Sequence, residues 1–350
     1  MHYFALHDAC VAIDGISDLE MGRLLFDLDP FFKSSAAPTG TCVCRIDFSS
    51  NRDDFEAASA LARGKRWRRL VMHYPSDVRS HRFGKLVCHG DLEYVFDTPK
   101  GSFYVLDHQR KSIRLFNKDR LAGAKEIRRL VRDQILMFWF ESTGAVVVHS
   151  SLVQTPHGGV LFVGGRGSGK TTFFTGAVFS AHPVNGITSE RTLVVPQGGT
   201  VLLYGLPEKI NYLPGTLASF KPTEALAEGI DPSLHWERAG KFLIHWSKIL
   251  GASGKSPGTN GLPLQRVVFP QYGHQHLSDI SPEEALLALR GETLTLGDPV
   301  PHTNWLDWFR PDMSSAEQTL SALCKAPAQR LGWESLVDVE TYFADVSTRP

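Results

Sequence analysis

The sequence predicts an α/β protein, in which a domain built around a phosphate-binding loop follows a β-rich α+β domain. Three observations carry that expectation. The stretch 158–174, GGVLFVGGRGSGKTTFF, runs an apolar strand into a glycine-rich loop and then into a helix. Residues 1–120 read mainly as short strands punctuated by turn-forming residues. The chain has 350 residues, 42% of them hydrophobic, which is long enough for two domains and apolar enough to bury sizeable cores. The expected division is a β-rich accessory domain over 1–120, a P-loop domain over 121–300 and a helical C-terminal extension over 301–350.

Taken in order, TCVCRIDF (41–48) alternates as a strand. Its Cys42 and Cys44, two apart, are expected on one face as small core residues. RDDFEAASALARGKRWRRL (52–70) predicts a helix that starts near Asp53–Asp54 and has a basic end at Arg63–Arg69. A solvated helix end is the plain reading of those charges, and a patch for an acidic partner the sharper one. Residues 85–117 suggest three short strands with turns at 89–91, 98–101 and 108–110. KEIRRLVRDQILMFWF (125–140) has helical spacing, with Ile127, Leu130, Val131, Ile135, Phe138 and Trp139 as its buried stripe. A strand, a turn at 155–159 and a second strand then lead into the loop. Another apolar strand lies in 186–207, with a turn at Gln197-Gly198-Gly199. GASGKSPGTNGLP (251–263) is expected to be a mobile loop, LQRVVFP a strand, and SPEEALLAL a helix capped by Ser281, with Pro282 first in the helix and Glu284 in the capping box.

Lys+Arg and Asp+Glu are both 37, a balance that argues against a dedicated nucleic-acid binder. The five cysteines are scattered without a CxxC pair, which points to neither a disulfide framework nor a zinc site. The N-terminal stretch carries Asp8 within its apolar part and lacks a basic leader, so no signal peptide is expected. No apolar run approaches the roughly 20 residues that span a bilayer. The expected location is the cytoplasm.

The loop itself has the spacing G-x-x-x-x-G-K-[ST], with Gly164, Gly169, Lys170 and Thr171 in the defining positions. Between them stand Gly165, Arg166, Gly167 and Ser168, and Thr172 follows. Glycines let successive backbone N–H groups curl around a phosphate chain, and the positive end of the following helix adds to the attraction. Lys170 is placed to reach the outer phosphates, and the Thr171 hydroxyl to ligate Mg²⁺.

Neighbouring residues decide what such a loop does. His149 ends the strand AVVVH, one hairpin before the loop, and a lone histidine in that position is either packing or functional. Glu190, in TSERTLVV, precedes an apolar run, whereas a Walker B acid normally follows one. A carboxylate there can hold a metal or accept a hydroxyl proton, or it can simply be a cap or surface residue. Arg191 beside it is a candidate for stabilising charge on a transferring phosphoryl group. GLPEKINYLPGTL (205–217) suits a loop over a pocket. No guanine-reading NKxD pattern occurs. His245 and Lys248 of HWSKILG suit an acceptor pocket or a packed helix face. Arg266, His274 and His276 of RVVFPQYGHQH are equally open, and two histidines without a third ligand favour a surface loop over a metal.

Together, VVVHSSLV, GGVLFVGGRGSGKTT, SERTLVV and GLPEKINYLPGTL resemble the catalytic domain of HPr serine kinase/phosphorylase. The likeness is closer to the HPr-kinase-like proteins of bacterial biosynthetic gene clusters, and covers roughly residues 125–300. It implies a compact α/β P-loop domain with a mixed sheet, related to phosphoenolpyruvate carboxykinase, and transfer of the ATP γ-phosphoryl group to a hydroxyl with Mg²⁺. His149 matches the family's histidine upstream of the loop, and Lys170 and Thr171 match its lysine and metal-ligating hydroxyl. Two departures stand out. Ser189 and Glu190 occupy the place of a pair of aspartates, and LLYGLP replaces an acidic-arginine-glycine signature tied to HPr recognition and dephosphorylation. HPr is therefore not the expected acceptor.

The resulting expectation is an ATP- and Mg²⁺-dependent kinase acting on a hydroxyl of a small metabolite or peptide. Glu190, His149, Lys170 and Arg191 would be its catalytic residues, and Thr171 and Glu190 would hold the metal. The acceptor is a small molecule or peptide, with neither nucleic acid nor membrane expected, and a homo-oligomer is compatible. The alternative is a nucleotide-binding regulatory module with little turnover, in keeping with the missing second acid. A carboxykinase-like enzyme would need a further metal-ligating cluster that the sequence does not display.

Overall fold

A computed structural model describes residues 1–28, 30–73, 82–206, 210–226, 242–256, 258, 260–273, 276–294 and 304–349. It is an α/β structure with mixed sheets, divided into two units. The first comprises Met1–Thr143 with Pro299–Asp312, and the second Gly144–Asp298 with Met313–Pro350. Both boundaries differ from the expected 120/121 and 300/301. The helical run Arg120–Ser142 belongs with the first unit, into which it buries its apolar side. The supposed helical extension returns a strand to the sheet of the second unit.

The first unit's strands are β1 (His2–Leu6), β2 (Ala9–Asp14), β3 (Lys33–Ser35), β4 (Thr41–Ser49), β5 (Arg68–His73), β6 (Arg82–His89), β7 (Leu92–Asp97), β8 (Ser102–Asp107) and β9 (Ser112–Asn117). They form one sheet in the order β3-β1-β2-β4-β9-β8-β7-β6-β5, parallel at β2–β4 and β4–β9 and antiparallel elsewhere. The three turns foreseen in 85–117 separate four strands, not three. A register slip opposite Val43 pairs Cys10 with Cys42 and Val11 with Cys44. That bulge breaks the alternation, so Cys44 is buried while Cys42 is exposed.

The helix Arg52–Ala60 starts on Asn51, whose side chain accepts the Asp53 N–H at 2.7 Å. It ends before the basic run, which instead leads into β5, so Arg63–Arg69 is not a helix end. Asp119 caps the next helix by accepting from the Leu121 and Ala122 N–H groups. That helix continues through a π-helical segment, Leu130–Leu136, to Ser142. The wider turn rotates the following residues. Leu136, Met137 and Phe140 are consequently buried alongside the expected Ile127, Leu130, Val131, Ile135 and Phe138, and Trp139 is only half-buried.

Two ion-pair clusters tie this unit together. Arg82 pairs with buried Asp97 and with Glu126 at 2.8 Å, and the Tyr104 hydroxyl donates to Glu126 at 3.3 Å. Buried Glu20 accepts from Arg120 at 2.8 Å and from the Ser17 N–H and hydroxyl at 2.6 and 2.5 Å.

The second unit's strands are β10 (Val146–Val148), β11 (Ser150–Thr155), β12 (Gly158–Val163), β13 (Asn185–Thr188), β14 (Thr192–Gln197), β15 (Thr200–Gly205), β16 (Ile210–Tyr212), β17 (Phe242–Ile244), β18 (Leu262–Tyr272), β19 (His276–Asp279) and β20 (Ala328–Trp333). The main sheet runs β10-β14-β15-β18-β12-β11-β13, with β20 also beside β18 and β19 beside β20. β12, β18 and β20 are mutually parallel, while β11 is antiparallel to both β12 and β13. The carboxyl ends of β12, β13, β18 and β20 and the amino end of β11 therefore meet at one edge.

Behind that edge, the helices Lys170–Phe179 and Leu336–Thr348 cover one core. Phe162 stacks on Phe173 at 4.7 Å, with Phe343, Tyr342 and Val339 around them. A Cβ on Gly176 would lie 2.6 Å from Val339, so glycine lets the two helices approach closely. Ser281 caps the helix Pro282–Glu292 as expected, accepting the Glu284 N–H. Of 251–263, expected as a loop, residues 251–253 end a helix and 262–263 begin β18. The Lys255 ammonium donates to the carbonyls of Ala177, Ser180 and Val184 at 2.7–3.0 Å. Residues 257 and 259 lie outside the described residues. No helix among the described residues is long and apolar enough to cross a membrane.

The Arg120 guanidinium and the Ser17 donors hold the Glu20 carboxyl at about 2, well below its ordinary 4.5. A lowered carboxyl favours the folded state above the unfolded value and loses that advantage as pH falls through the folded one. Glu20→Gln should cost about 1–3 kcal/mol at neutral pH. The gap in melting temperature from the parent should then close between about pH 4.5 and 2. Thermal unfolding followed across that range checks it.

Candidate functional site

β12 is buried throughout and stops at Val163, where the chain turns into Gly164–Gly169 and then the helix from Lys170. Gly167 and Gly169 have φ of 86° and 113°, which side-chain-bearing residues rarely adopt. At Gly169 there is also no room, because a Cβ would lie 2.6 Å from the Trp333 indole. That indole donates its N–H to the Ser168 carbonyl at 2.9 Å, fastening the loop to the end of β20. Lys170 is buried and donates to the carbonyls of Gly164 and of Gly165, the latter at 3.1 Å.

The loop opens on a cavity of about 800 Å³. Gly165, Arg166, Gly167, Gly169, Lys170, Thr171 and Thr172 line it, and so do His149, Ser189 and Glu190. Most of the loop and flanking residues singled out in the sequence thus share one cavity. Gly164 and Ser168 are parts of the loop that do not line the cavity. Arg191, half-buried, does not line it either, and its carbonyl accepts the Leu206 N–H at 3.3 Å. Asn211 and Leu213–Thr216 form another wall, as 205–217 suggested, although 207–209 lie outside the described residues. His245, Lys248, Arg266 and His276 are not among the lining residues, and His274 lies outside the described ones.

The second side of the site is set by how the chain leaves β13. The Ser150 N–H donates to the Glu190 carbonyl at 3.2 Å, and the Ser151 hydroxyl to the Ser189 carbonyl at 3.1 Å. Ser150 also donates its hydroxyl to Thr192 at 2.9 Å. These bonds clamp the Ser189–Arg191 turn against the start of β11, next to His149. Glu190 is buried at 9% exposure, so its carboxylate stands in a shielded site.

His149 sits at the break between β10 and β11. Its Nδ1 is 2.8 Å from Glu292 Oε2, its Nε2 is 3.7 Å from Glu190 Oε2, and its backbone N–H donates to the Glu292 carbonyl at 2.8 Å. The imidazole therefore lies between two carboxylates. Glu190 and then Glu292 raise its pKa above the ordinary 6.5, and burial and the Lys170 ammonium oppose them only in part.

Glu292 escaped sequence reasoning, since it ends a helix 143 residues after His149. Tyr272 and Trp333 also line the cavity and were missed, because only the parallel β18–β20 ladder brings them beside the loop. Their one local signal was aromatic character at strand ends. Among the described residues no three His, Cys, Asp or Glu side chains form a metal cage. Mg²⁺ at a phosphate site needs only one or two protein ligands, because substrate phosphates and water supply the rest.

No family model matches this chain, and no curated protein matches it.

A raised histidine pKa means that the charged form is favoured by folding. The stabilisation is present below about 6.5 and is lost as pH rises through the folded value. NMR titration of His149 should give a midpoint above 6.5, and Glu292→Gln should move it downward. An unchanged midpoint in that variant contradicts the assigned cause.

Proposed function

We propose that this chain is an ATP- and Mg²⁺-dependent phosphotransferase of the HPr-kinase-like type, acting on a hydroxyl of a small metabolite or peptide. One observation carries the reading: His149, Ser189 and Glu190 line the same cavity as Lys170 and the glycine-rich loop. The donor set suits the proposed ligands, because the amides of a glycine-rich loop at a helix amino end and a buried ammonium bind anionic oxygens. Thr171 and Glu190 would hold Mg²⁺, which when bound neutralises charge between the outer phosphates.

The residues of the chain divide the remaining work. Loop amides and Lys170 hold the triphosphate. The Glu190 carboxylate orients the acceptor hydroxyl and accepts its proton as the oxygen attacks phosphorus. Protonated His149, steadied by Glu292, keeps Glu190 in place and offers positive charge to the transferring group. Ser189, standing where the resembled family has an acid, leaves Glu190 as the sole carboxylate of that pair. The exposed basic residues before β5 would serve an acidic partner.

Purified protein with Mg²⁺-ATP and hydroxyl compounds from its gene neighbourhood should release ADP in an acceptor-dependent way. Glu190→Gln should lower that turnover about 10²–10⁴-fold. Lys170→Ala should abolish nucleotide binding. Tight ATP binding with no acceptor-dependent turnover would instead favour a regulatory module.

The working pH has a sign. With His149 active as the imidazolium, the rate falls as pH rises past its raised pKa. Glu292→Gln should shift that falling limb to lower pH, which a pH–rate profile reads directly.

A further inference from the structure

We infer that Tyr272 is the stacking wall for the nucleobase of the bound nucleotide. This inference rests on the nucleotide reading proposed above. It starts from the order of strands at the working edge. β11 flanks β12 on one side, and β13 lies beyond it. These strands carry His149 and the Ser189–Glu190 turn. β18 flanks β12 on the other side, with β20 next to it, and they end in Tyr272 and Trp333. The phosphate loop leaves β12 between the two groups. A phosphate chain held there with its reactive end toward Glu190 extends its other end toward β18 and β20.

At that end stands an aromatic surface. Tyr272 lines the cavity and is 61% exposed, so its ring is open to a ligand there. It is not loose. Its ring meets that of Trp333 edge-on, with centroids 4.9 Å apart and planes 64° apart. Trp333 is itself buried, bonded to the Ser168 carbonyl and packed on Phe173. The strand ends directly after Tyr272, where the Gly273 N–H donates to the Trp333 carbonyl at 3.0 Å. The ring is thus positioned by the same indole that braces the loop, and its position relative to the phosphates is set by the fold. Glu334 and Ser335, also lining the cavity, supply polar groups beside it.

A flat, π-rich, partly polar group is what such a ring accepts, and stacking tolerates any base. Tyr272 would therefore add affinity for the nucleoside half without choosing among bases, while the loop serves the phosphates.

Isothermal titration of the full chain with ADP and, separately, with inorganic tripolyphosphate tests this. Tyr272→Ala should weaken ADP binding about 5- to 150-fold, the range expected for loss of one stacked base. It should leave tripolyphosphate binding within about twofold of the parent, which also shows that the loop is still formed. Tyr272→Phe should retain ADP affinity. Unchanged ADP binding in Tyr272→Ala, or an equal loss for both ligands, overturns the inference and leaves the nucleotide reading intact. A parent protein that binds tripolyphosphate but not ADP overturns both.

Discussion

Every residue of β12 is buried, so its backbone donors and acceptors must be satisfied by strands on both sides. That requirement organises the second unit. Antiparallel β11 meets it on one side and brings its amino end, with His149, to the carboxyl end of β12. Parallel β18 meets it on the other side and brings Tyr272 to the same edge. In α/β sheets the crevice beyond the strands' carboxyl ends is the usual ligand site, because helix amino ends and loops converge there. Here the edge holds the glycine-rich loop at its centre and a different chemistry on each flank.

The flank at β11 and β13 is an electrostatic balance. Two carboxylates, Glu190 and Glu292, face an imidazole, and the Lys170 ammonium lies close enough to depress it. In a shielded site each charge needs its opposite. Losing either acid lowers the affinity of His149 for its proton, and losing His149 leaves Glu190 and Glu292 short of a counter-charge. The clamps from Ser150 and Ser151 to the backbone of the Ser189–Glu190 turn keep this arrangement from relaxing. On the opposite flank the forces are dispersion and shape. Trp333 joins loop, helix and strand end through one hydrogen bond and ring contacts, and only glycine fits at position 169 beneath it.

Where local patterns and structure part company, a specific piece of backbone is responsible. One extra residue opposite β2 turned Cys42 outward although it lies two residues from buried Cys44. A π-helical segment widened the buried stripe of Arg120–Ser142 beyond what a period of 3.6 anticipates. The last fifty residues read as helices by themselves, but β20 among them completes a parallel ladder. Such pairings carry no local signature, since a parallel partner can lie anywhere in the chain.

The sequence alone determined the strand-loop-helix around Lys170, its glycines, and the presence of His149 and Glu190 nearby in the chain. These depend on backbone geometry over a few residues, where glycine spacing and apolar runs act directly. It also determined the cap at Ser281, for the same reason, and placed the start of the helix Arg52–Ala60 within two residues. Tertiary structure decided the rest. It set which residues line the cavity, left Arg191 out of that lining, delivered Glu292 to His149 and placed Tyr272 and Trp333 beside the loop. Each of those outcomes depends on ladder register and on packing between residues far apart in the chain, whose energies exist only once the sheet has closed.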